Sequence, residues 1–335
     1  MKFKRILFVL SILLISTICF YLMNQRYDQL ARYPYVNKEN HDIILEHLNT
    51  DDINYLCSQQ IKPEQFLPYM NQPGFTIRNA LYYDAAKKAR NIGDHELVTF
   101  INQYKDKMRL ADIPSLLHAF TYEQLGLFYS RGDTYRKNAS LMNEPEALSI
   151  KPSDEKTLFS YQPNDLVTIV DIPHANAMEG FDTIQIRNEV LAPLQELCNG
   201  AKEINGNTCG DMIVVAGFVS YSEQVKLYEK ALLQYGVDSF KLYQDYPGRS
   251  EFQSGYVVRF DVAGEPVKNE DGDTPQALWL QENAYKYGFI VRFPKDGEAK
   301  TGKLYQPYTL RYVGKKQAKV AYENHYYFED LEWQK

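Results

Sequence analysis

The residues best suited to metal or nucleophilic chemistry are few and widely spaced. The chain has six histidines and four cysteines, and it contains no H-E-x-x-H pair, glycine-rich phosphate loop or nucleophile elbow. His174 and His325 have no ligand partners at useful spacing, and the other histidines belong to the N-terminal part. The cysteines cannot supply a four-ligand metal site, since Cys19 lies in an apolar run. Taken alone, these residues predict no metal centre.

Two cysteines are close enough in sequence to interact. Cys198 and Cys209 bracket a short polar loop between a helical pattern and an apolar strand. Thiols outside the cytoplasm tend to pair, so one interpretation is a local disulfide that leaves Cys57 unpaired. The alternative interpretation is two buried free cysteines.

Four sequence blocks follow one another in the C-terminal half. They are YQPNDLV from Tyr161, AGFVSYSEQ from Ala216, PGRSEFQSG from Pro247 and WLQENAYKYGF from Trp279, which continues through RFP to QPYTLRYVG. In order and spacing they resemble the VanY-type D-alanyl-D-alanine carboxypeptidases, zinc enzymes that trim peptidoglycan stem peptides. The resemblance covers about residues 155–332 and implies the fold of that family.

The positions that match the family's catalytic residues carry other side chains. In the family, two histidines and an aspartate bind zinc, and a glutamate is the general base. The register of the resemblance places Phe252, Arg259 and Thr309 at the ligand positions and Gln306 at the base. Val219 stands where the family has a substrate-anchoring arginine. The resemblance therefore implies a zinc peptidase fold whose zinc ligands and base are replaced.

Each replacement is unfavourable for zinc chemistry on physical grounds. Phe252 has no lone pair, Thr309 is a poor ligand when neutral, and Arg259 brings a permanent positive charge. Gln306 cannot act as a general base, because its amide does not take up a proton. A two-residue bulge could offer Asp261 as a ligand, but one carboxylate does not make a site. We therefore predict no cofactor and no catalytic residue.

Other polar residues of the same blocks are candidates for ligand binding. In this fold they flank the cleft, and they are Ser250, Glu251, Gln253, Arg259 and Tyr308. Ser250, Glu251 and Gln253 either contact peptide or satisfy local backbone groups. The guanidinium of Arg259 either pairs with Glu251 or Asp261, or holds the C-terminal carboxylate of a stem peptide.

The elements that would position these residues alternate between short strands and helices. Strands are predicted at 166–170, 212–218, 255–262, 289–293 and 308–313, and helices at 187–201, 220–235 and 275–287. Mixed elements with long separations favour an α+β domain with a largely antiparallel sheet. We place this VanY-like domain at residues 161–332.

An apolar run near the N-terminus predicts a membrane anchor. Lys2, Lys4 and Arg5 precede an uncharged run of 18 residues that begins at Ile6, just long enough to span a bilayer as a helix. The run ends without the small residues of a cleavage site, so we predict an uncleaved signal anchor over residues 1–24. The positive charges before it predict that the rest of the chain lies outside the cytoplasm.

Between the anchor and the C-terminal domain the composition changes twice. Residues 25–40 are polar and aromatic without a clean period, and we predict a stalk there. Residues 41–142 show helical spacing cut by prolines and glycines, which predicts a domain of short helices. Residues 143–160 are rich in Glu, Pro, Ser, Lys and Asp, the usual composition of a linker.

The composition of the whole chain excludes some classes of protein. Of 335 residues, 44% are apolar and 24% charged, which indicates a globular protein rather than a disordered one. Thirty-seven basic against 43 acidic residues give a net charge of −6, which argues against an electrostatic nucleic-acid binder.

Three hypotheses for function remain. The first is a membrane-anchored, extracytoplasmic pseudo-peptidase that binds cell-wall peptide or scaffolds an envelope protein without cleavage. The second is a working D-alanyl-D-alanine carboxypeptidase whose metal is held by unrecognised ligands. The third is a purely structural envelope protein that uses the helical region for its partners.

Overall fold

The computed structural model describes residues 2–25, 28–175, 183–242, 244–263 and 272–333, without the side chains of residues 2–5, 7, 24, 25 and 242. The chain divides into two compact units, Met1–Pro114 and Ser115–Lys335. This division falls before the predicted linker at 143–160, so the last part of the predicted helical domain belongs to the second unit.

The first unit is helical. Its α-helices are α1 (Lys2–Gln25), α2 (His41–His47), α3 (Thr50–Gln59), α4 (Ala80–Ala89) and α5 (Asp94–Tyr104). Asn49 begins α3 by accepting a hydrogen bond from the amide of Asp52 with its side chain, which satisfies one of the free amides at the helix start. Short 3-10 turns join several of these helices, in agreement with the prolines and glycines that interrupt the helical spacing.

The segment predicted as a stalk contributes to the core of this unit. Leu30 and Tyr33 are buried in one cluster with Ile44 and Leu56. The hydroxyl of Tyr33 donates a hydrogen bond of 2.6 Å to the carbonyl of Ile61. The described part of residues 25–40 is therefore attached to this unit by a few buried side chains, while most of its other residues are exposed.

The predicted anchor forms α1. The described apolar side chains of this helix, between Ile6 and Met23, are exposed. The side chains of Lys2, Lys4 and Arg5, on which the predicted orientation depends, lie outside the described residues. Among the residues that the structure describes, no helix combines the length and the apolarity needed to cross a membrane. Anchoring and orientation stay predictions.

The second unit is an α+β domain around a four-stranded sheet. Its helices are α6 (Ile113–Ala119, which begins at the boundary), α7 (Tyr122–Arg131), α8 (Asn188–Gly200), α9 (Tyr221–Ser239), α10 (Pro275–Asn283), α11 (Glu298–Thr301) and α12 (Gly314–Asn324). Its strands are β1 (Ser140–Leu141), β2 (Lys156–Thr157), β3 (Leu166–Thr168), β4 (Gln185–Arg187), β5 (Met212–Ala216), β6 (Val257–Val262), β7 (Phe289–Phe293) and β8 (Gln306–Tyr312).

The central sheet has the strand order β5-β6-β8-β7, and its described pairs are antiparallel. Two small pairs accompany it, β1 with β2 in parallel and β3 with β4 antiparallel. Apolar side chains such as Val258, Phe260 and Leu310 fill the middle of the sheet and are fully buried. The predicted α+β class with a largely antiparallel sheet is confirmed.

A disulfide joins Cys198, near the end of α8, to Cys209, just before β5. The turn after Cys209 needs a glycine, because Gly210 has φ of +60° and a Cβ there would lie 2.8 Å from the carbonyl oxygen of Ala201. Cys19 and Cys57 are free thiols. The disulfide therefore ties the end of α8 to the start of the central sheet.

The predicted linker is ordered and packs within the second unit. We call its residues 146–158 the strap. The carbonyl of Glu146 accepts a hydrogen bond of 2.8 Å from the hydroxyl of Tyr256, and the amide of Leu158 donates one of 2.8 Å to the carbonyl of Gly248. Ile150 is buried. The strap is therefore part of the folded domain, although its composition is typical of a linker.

Candidate functional site

Three of the replaced positions meet in the central sheet. Arg259 on β6 is the cross-strand partner of Thr309 on β8, and such partners hold their Cβ atoms about 4.5–5.5 Å apart. The hydroxyl of Thr309 donates a hydrogen bond of 2.9 Å to Oε1 of Gln306. Side chains three residues apart in a regular strand point to opposite faces. The register shift between β7 and β8 at this place explains why these two can meet.

Phe252 and Val219 come from two other segments. Phe252 lies in the 3-10 turn Glu251–Ser254, just before β6. Val219 directly precedes Ser220, whose side chain caps α9 by accepting a hydrogen bond from the amide of Glu223. The backbone amide of Val219 donates to the carbonyl of Phe252 at 3.4 Å. The turn that carries Phe252 is thus attached to the start of α9.

The side chains at these positions do not suit a zinc ion. Phe252 offers no lone pair, Arg259 is a permanent cation, and the hydroxyl proton of Thr309 is directed at Gln306. Oδ1 of Asp261 lies 3.9 Å from Nη2 of Arg259, so this carboxylate already faces a positive charge. Throughout the described ranges, no group of three or more His, Cys, Asp or Glu side chains is placed to hold a metal ion.

Glu251, a predicted cleft residue, is held by two buried arginines. Nη2 and Nε of Arg292 donate to its carboxylate at 2.7 and 2.9 Å, and Nη1 of Arg311 donates to Oε2. Arg292 and Arg311 are 1% and 0% exposed. Burial by itself would raise the pKa of Glu251, but the two guanidiniums outweigh burial and lower it to about 2. Glu251 therefore stays charged and serves as a counter-charge of the core.

The same network reaches the C-terminus and the strap. Nη2 of Arg292 also donates to Glu329 at 2.7 Å, and Glu329 in turn pairs with Lys151 of the strap at 2.7 Å. Nη2 of Arg311 donates to two carbonyls of the strap, one of them that of Ile150. The strap thereby supplies acceptors to one of the arginines that hold Glu251.

Gln253 fastens the turn that carries Phe252. Its side chain is fully buried, and its Nε2 donates to the carbonyls of Phe159 and Tyr161 at 2.6 and 2.8 Å. Its Oε1 accepts a hydrogen bond of 2.8 Å from Nε2 of Gln224. Both polar atoms of the amide are thus used inside the protein, which assigns Gln253 to the scaffold.

Ser250 and Tyr308 are also buried. The backbone amide of Ser250 donates to Oε1 of Gln224 at 3.4 Å, and the hydroxyl of Tyr308 shares a hydrogen bond with that of Thr274. Arg259, in contrast, keeps 43% of its side chain exposed. Of the five predicted cleft residues, Arg259 has the most exposed side chain.

Sequence reasoning missed the arginines that hold Glu251. The available signal was one charged residue inside each of two apolar strands, Arg292 in FIVRF and Arg311 in QPYTLRY. A charge in such a place requires a buried partner of opposite sign. That rule would have predicted an acidic partner for the two arginines, but it could not identify Glu251 or Glu329 as that partner.

The second unit is an α+β domain around an antiparallel sheet, and comparison with known proteins identifies its family. The profile of the VanY family, described as D-alanyl-D-alanine carboxypeptidase, matches residues 183–315. The solved structure of the LdcB LD-carboxypeptidase, described as revealing the molecular basis of peptidoglycan recognition, is 33% identical, with a TM-score of 0.52 over 57% of this chain and 88% of LdcB. The chain belongs to the VanY D-alanyl-D-alanine carboxypeptidase family.

Two curated relatives show the same similarity over shorter shares of their length. One relative is YodJ of Bacillus subtilis (strain 168), which is provisionally named as a carboxypeptidase. It is 35% identical over 167 residues, which are 49% of this chain and 59% of YodJ. The D-alanyl-D-alanine carboxypeptidase of Enterococcus faecium is 31% identical over 147 residues, 44% of each chain. The chain spans about half the length of these relatives.

Proposed function

We propose that this chain is an extracytoplasmic pseudo-peptidase that binds a cell-wall stem peptide in its VanY-like domain without cleaving it. The observation that carries the proposal is the set of side chains where the family's zinc ligands and base are expected: Phe252, Arg259, Thr309 and Gln306. These side chains provide no Lewis acid and no metal-bound water with a pKa near ~7. Gln306 provides no base.

The retained scaffold supports peptide binding. Gln224, Gln253 and Glu251 hold the segments on which the replaced positions lie, so the backbone around the site keeps its supports. The 33% identity to LdcB, whose structure is described in terms of peptidoglycan recognition, supports a peptidoglycan peptide as the ligand. Binding and cleavage are separable, because only cleavage needs the metal and the base.

The membrane location is a further part of the proposal. It is supported by the uncharged run from Ile6 to Met23 and by the exposed apolar side chains of α1. The expected protein is uncleaved, with its C-terminus outside the cytoplasm. Mass spectrometry of the N-terminus and protease accessibility in intact cells test this. A mature chain that starts after residue 23, or a protected C-terminus, would contradict it.

Two alternatives have support of their own. The names of the curated relatives favour a working carboxypeptidase, which would need metal ligands other than the replaced positions. The burial of Ser250, Gln253 and Tyr308 favours a structural protein whose partner is another envelope protein, because a filled cleft leaves less surface for a peptide.

One experiment separates these functions. Muropeptides that end in D-Ala are added to the purified protein, with and without added Zn²⁺, while binding is measured by calorimetry and free D-Ala by a coupled assay. We expect binding without D-Ala release. Release that depends on zinc would establish the working enzyme, and a folded protein that binds no muropeptide would establish the structural role.

A further inference from the structure

We infer that the replaced site has reversed its polarity, from acceptors that would surround a cation to donors that surround an anion, and that Arg259 and Gln306 bind the terminal carboxylate of a peptide. The inference rests on the proposed function and names the chemical group that is held. A carboxylate is the group expected, because a guanidinium and an amide N–H pair match its two oxygens.

Gln306 is oriented for this role by Thr309. The amide of Gln306 has one acceptor oxygen and one donor nitrogen, and its oxygen accepts the hydroxyl hydrogen of Thr309 at 2.9 Å. With the oxygen directed at Thr309, the two N–H donors are directed away from it. Thr309 is therefore a positioning residue, and the ligand contact is made by Gln306.

Arg259 supplies the positive charge. Its strand partners Ala216 and Thr309 carry no charge, and Glu251 is held by Arg292 and Arg311. Arg259 forms an ion pair with Asp261, with 3.9 Å between Nη2 and Oδ1, which is one of the two internal pairings that the sequence left open. A guanidinium has five N–H donors, and 43% of the Arg259 side chain is exposed, so a second carboxylate could bind there in competition with Asp261.

The position of the charge also changes where the peptide end would lie. Val219 stands where the resemblance implies a substrate-anchoring arginine, and Arg259 brings a cation to a place where the resemblance implies a zinc ligand. A peptide end bound to Arg259 would place its terminal carboxylate where the family holds its metal. That arrangement holds a chain end and presents no peptide bond to a reactive centre.

The test compares an acylated tripeptide ending in D-Ala as the free acid with the same tripeptide as the C-terminal amide. The full-length protein should bind the free acid at least ~10-fold more tightly than the amide, since a hydrogen bond to a charged group is worth about that factor or more. Arg259→Ala should remove this difference, because it should weaken binding of the free acid ~10- to 100-fold. The same variant should bind the C-terminal amide as tightly as the wild type does.

Three further variants at two positions test the geometry. Asp261→Asn should tighten binding of the free acid, because it removes the competing charge. Thr309→Val should weaken binding of the free acid. Thr309→Ser should bind the free acid as the wild type does, because serine keeps the hydroxyl. Lys319→Ala, which removes an exposed cation on α12, is the control for net charge, and circular dichroism confirms folding of each variant.

The outcomes separate this inference from the function on which it rests. Equal binding of acid and amide, unchanged in Arg259→Ala, would overturn the anion site and leave peptide binding intact. A folded wild type that binds neither tripeptide nor muropeptides would overturn both. Binding of the free acid without binding of muropeptides would keep the anion site and reject the cell-wall ligand.

Discussion

Two adjacent regions of the second unit differ in their charged groups. Phe252, Arg259, Gln306 and Thr309 include no acidic or imidazole side chain, whereas the resemblance implies such groups at their positions. Beside it, the carboxylate of Glu251 is matched by two buried guanidiniums. The difference shows that folding and catalysis make separate demands on neighbouring residues. A buried charge without its partner costs several kcal/mol, whereas a change at Arg259, whose side chain is 43% exposed, should cost the fold little.

The largest expected effect is the recovery of a metal site. If only the side chains of the site have changed, Phe252→His, Arg259→Asp, Thr309→His and Gln306→Glu together should bring bound zinc from below stoichiometry to about one ion per chain, the three-ligand pattern of a catalytic site. Elemental analysis after dialysis measures this. A folded variant without zinc would mean that the backbone of the site has also departed from the family. Zinc in the wild type near one per chain, lost on Asp261→Ala, would contradict our account of the site.

The next effect is on stability. Glu251→Gln should lower the free energy of unfolding by about 3–5 kcal/mol, because it leaves two buried guanidiniums without their counter-charge. Urea denaturation followed by circular dichroism measures the change. Glu196→Gln is the matched control, since Glu196 pairs with Lys315 at 2.9 Å in an exposed ion pair, and we expect no measurable change there. Equal changes in the two variants would show that the network around Glu251 does not stabilise the fold more than an exposed ion pair does.

The pH dependence of stability should report the same carboxylate. The pKa of Glu251 is about 2 in the folded protein against 4.5 ordinarily, so its charge stabilises the fold fully above about 4.5. This contribution is lost as the pH falls from about 4.5 through about 2. Glu251→Gln should therefore flatten the acid limb of a plot of unfolding free energy against pH. Parallel curves for wild type and variant would assign the acid limb to other groups.

The smallest effect is expected at the replaced site itself. Arg259→Ala should change the free energy of unfolding by no more than about 0.5 kcal/mol, as for surface substitutions in general, because 43% of the Arg259 side chain is exposed. The same urea denaturation measures it. If Arg259→Ala lowered the free energy of unfolding as much as Glu251→Gln, Arg259 would be a residue that stabilises the fold, and the two regions would not differ in this respect.

The sequence predicted the central sheet well, because its strands are apolar runs between turn residues. The strand Phe289–Phe293 was predicted to the residue, and the predicted helix at 220–235 continues to Ser239. The strap was predicted as a linker because much of its contribution comes from backbone carbonyls, which no pattern of side chains records. In the same way, Leu30 and Tyr33 are too few to give residues 25–40 a period.

The candidate site was predicted less completely. The replaced positions followed from the resemblance, but the roles of Glu251 and Gln253 depended on partners far away in sequence. Arg292 and Arg311 reach Glu251 from β7 and β8, and Gln224 reaches Gln253 from α9. Spacing along the chain gives no measure of such contacts. It therefore could not decide between ligand binding and support of the backbone.

The strap packs on the domain although it lies outside residues 183–315, the range that matches the family. A chain cut at residue 161 would keep every strand of the central sheet, yet it would remove the two carbonyls that accept from Arg311 and the ammonium group that pairs with Glu329. Each buried polar group left without a partner costs about 1–3 kcal/mol, a large share of the stability of a domain. Exchange of this module between relatives would therefore succeed only if the donor segment begins upstream of Glu146.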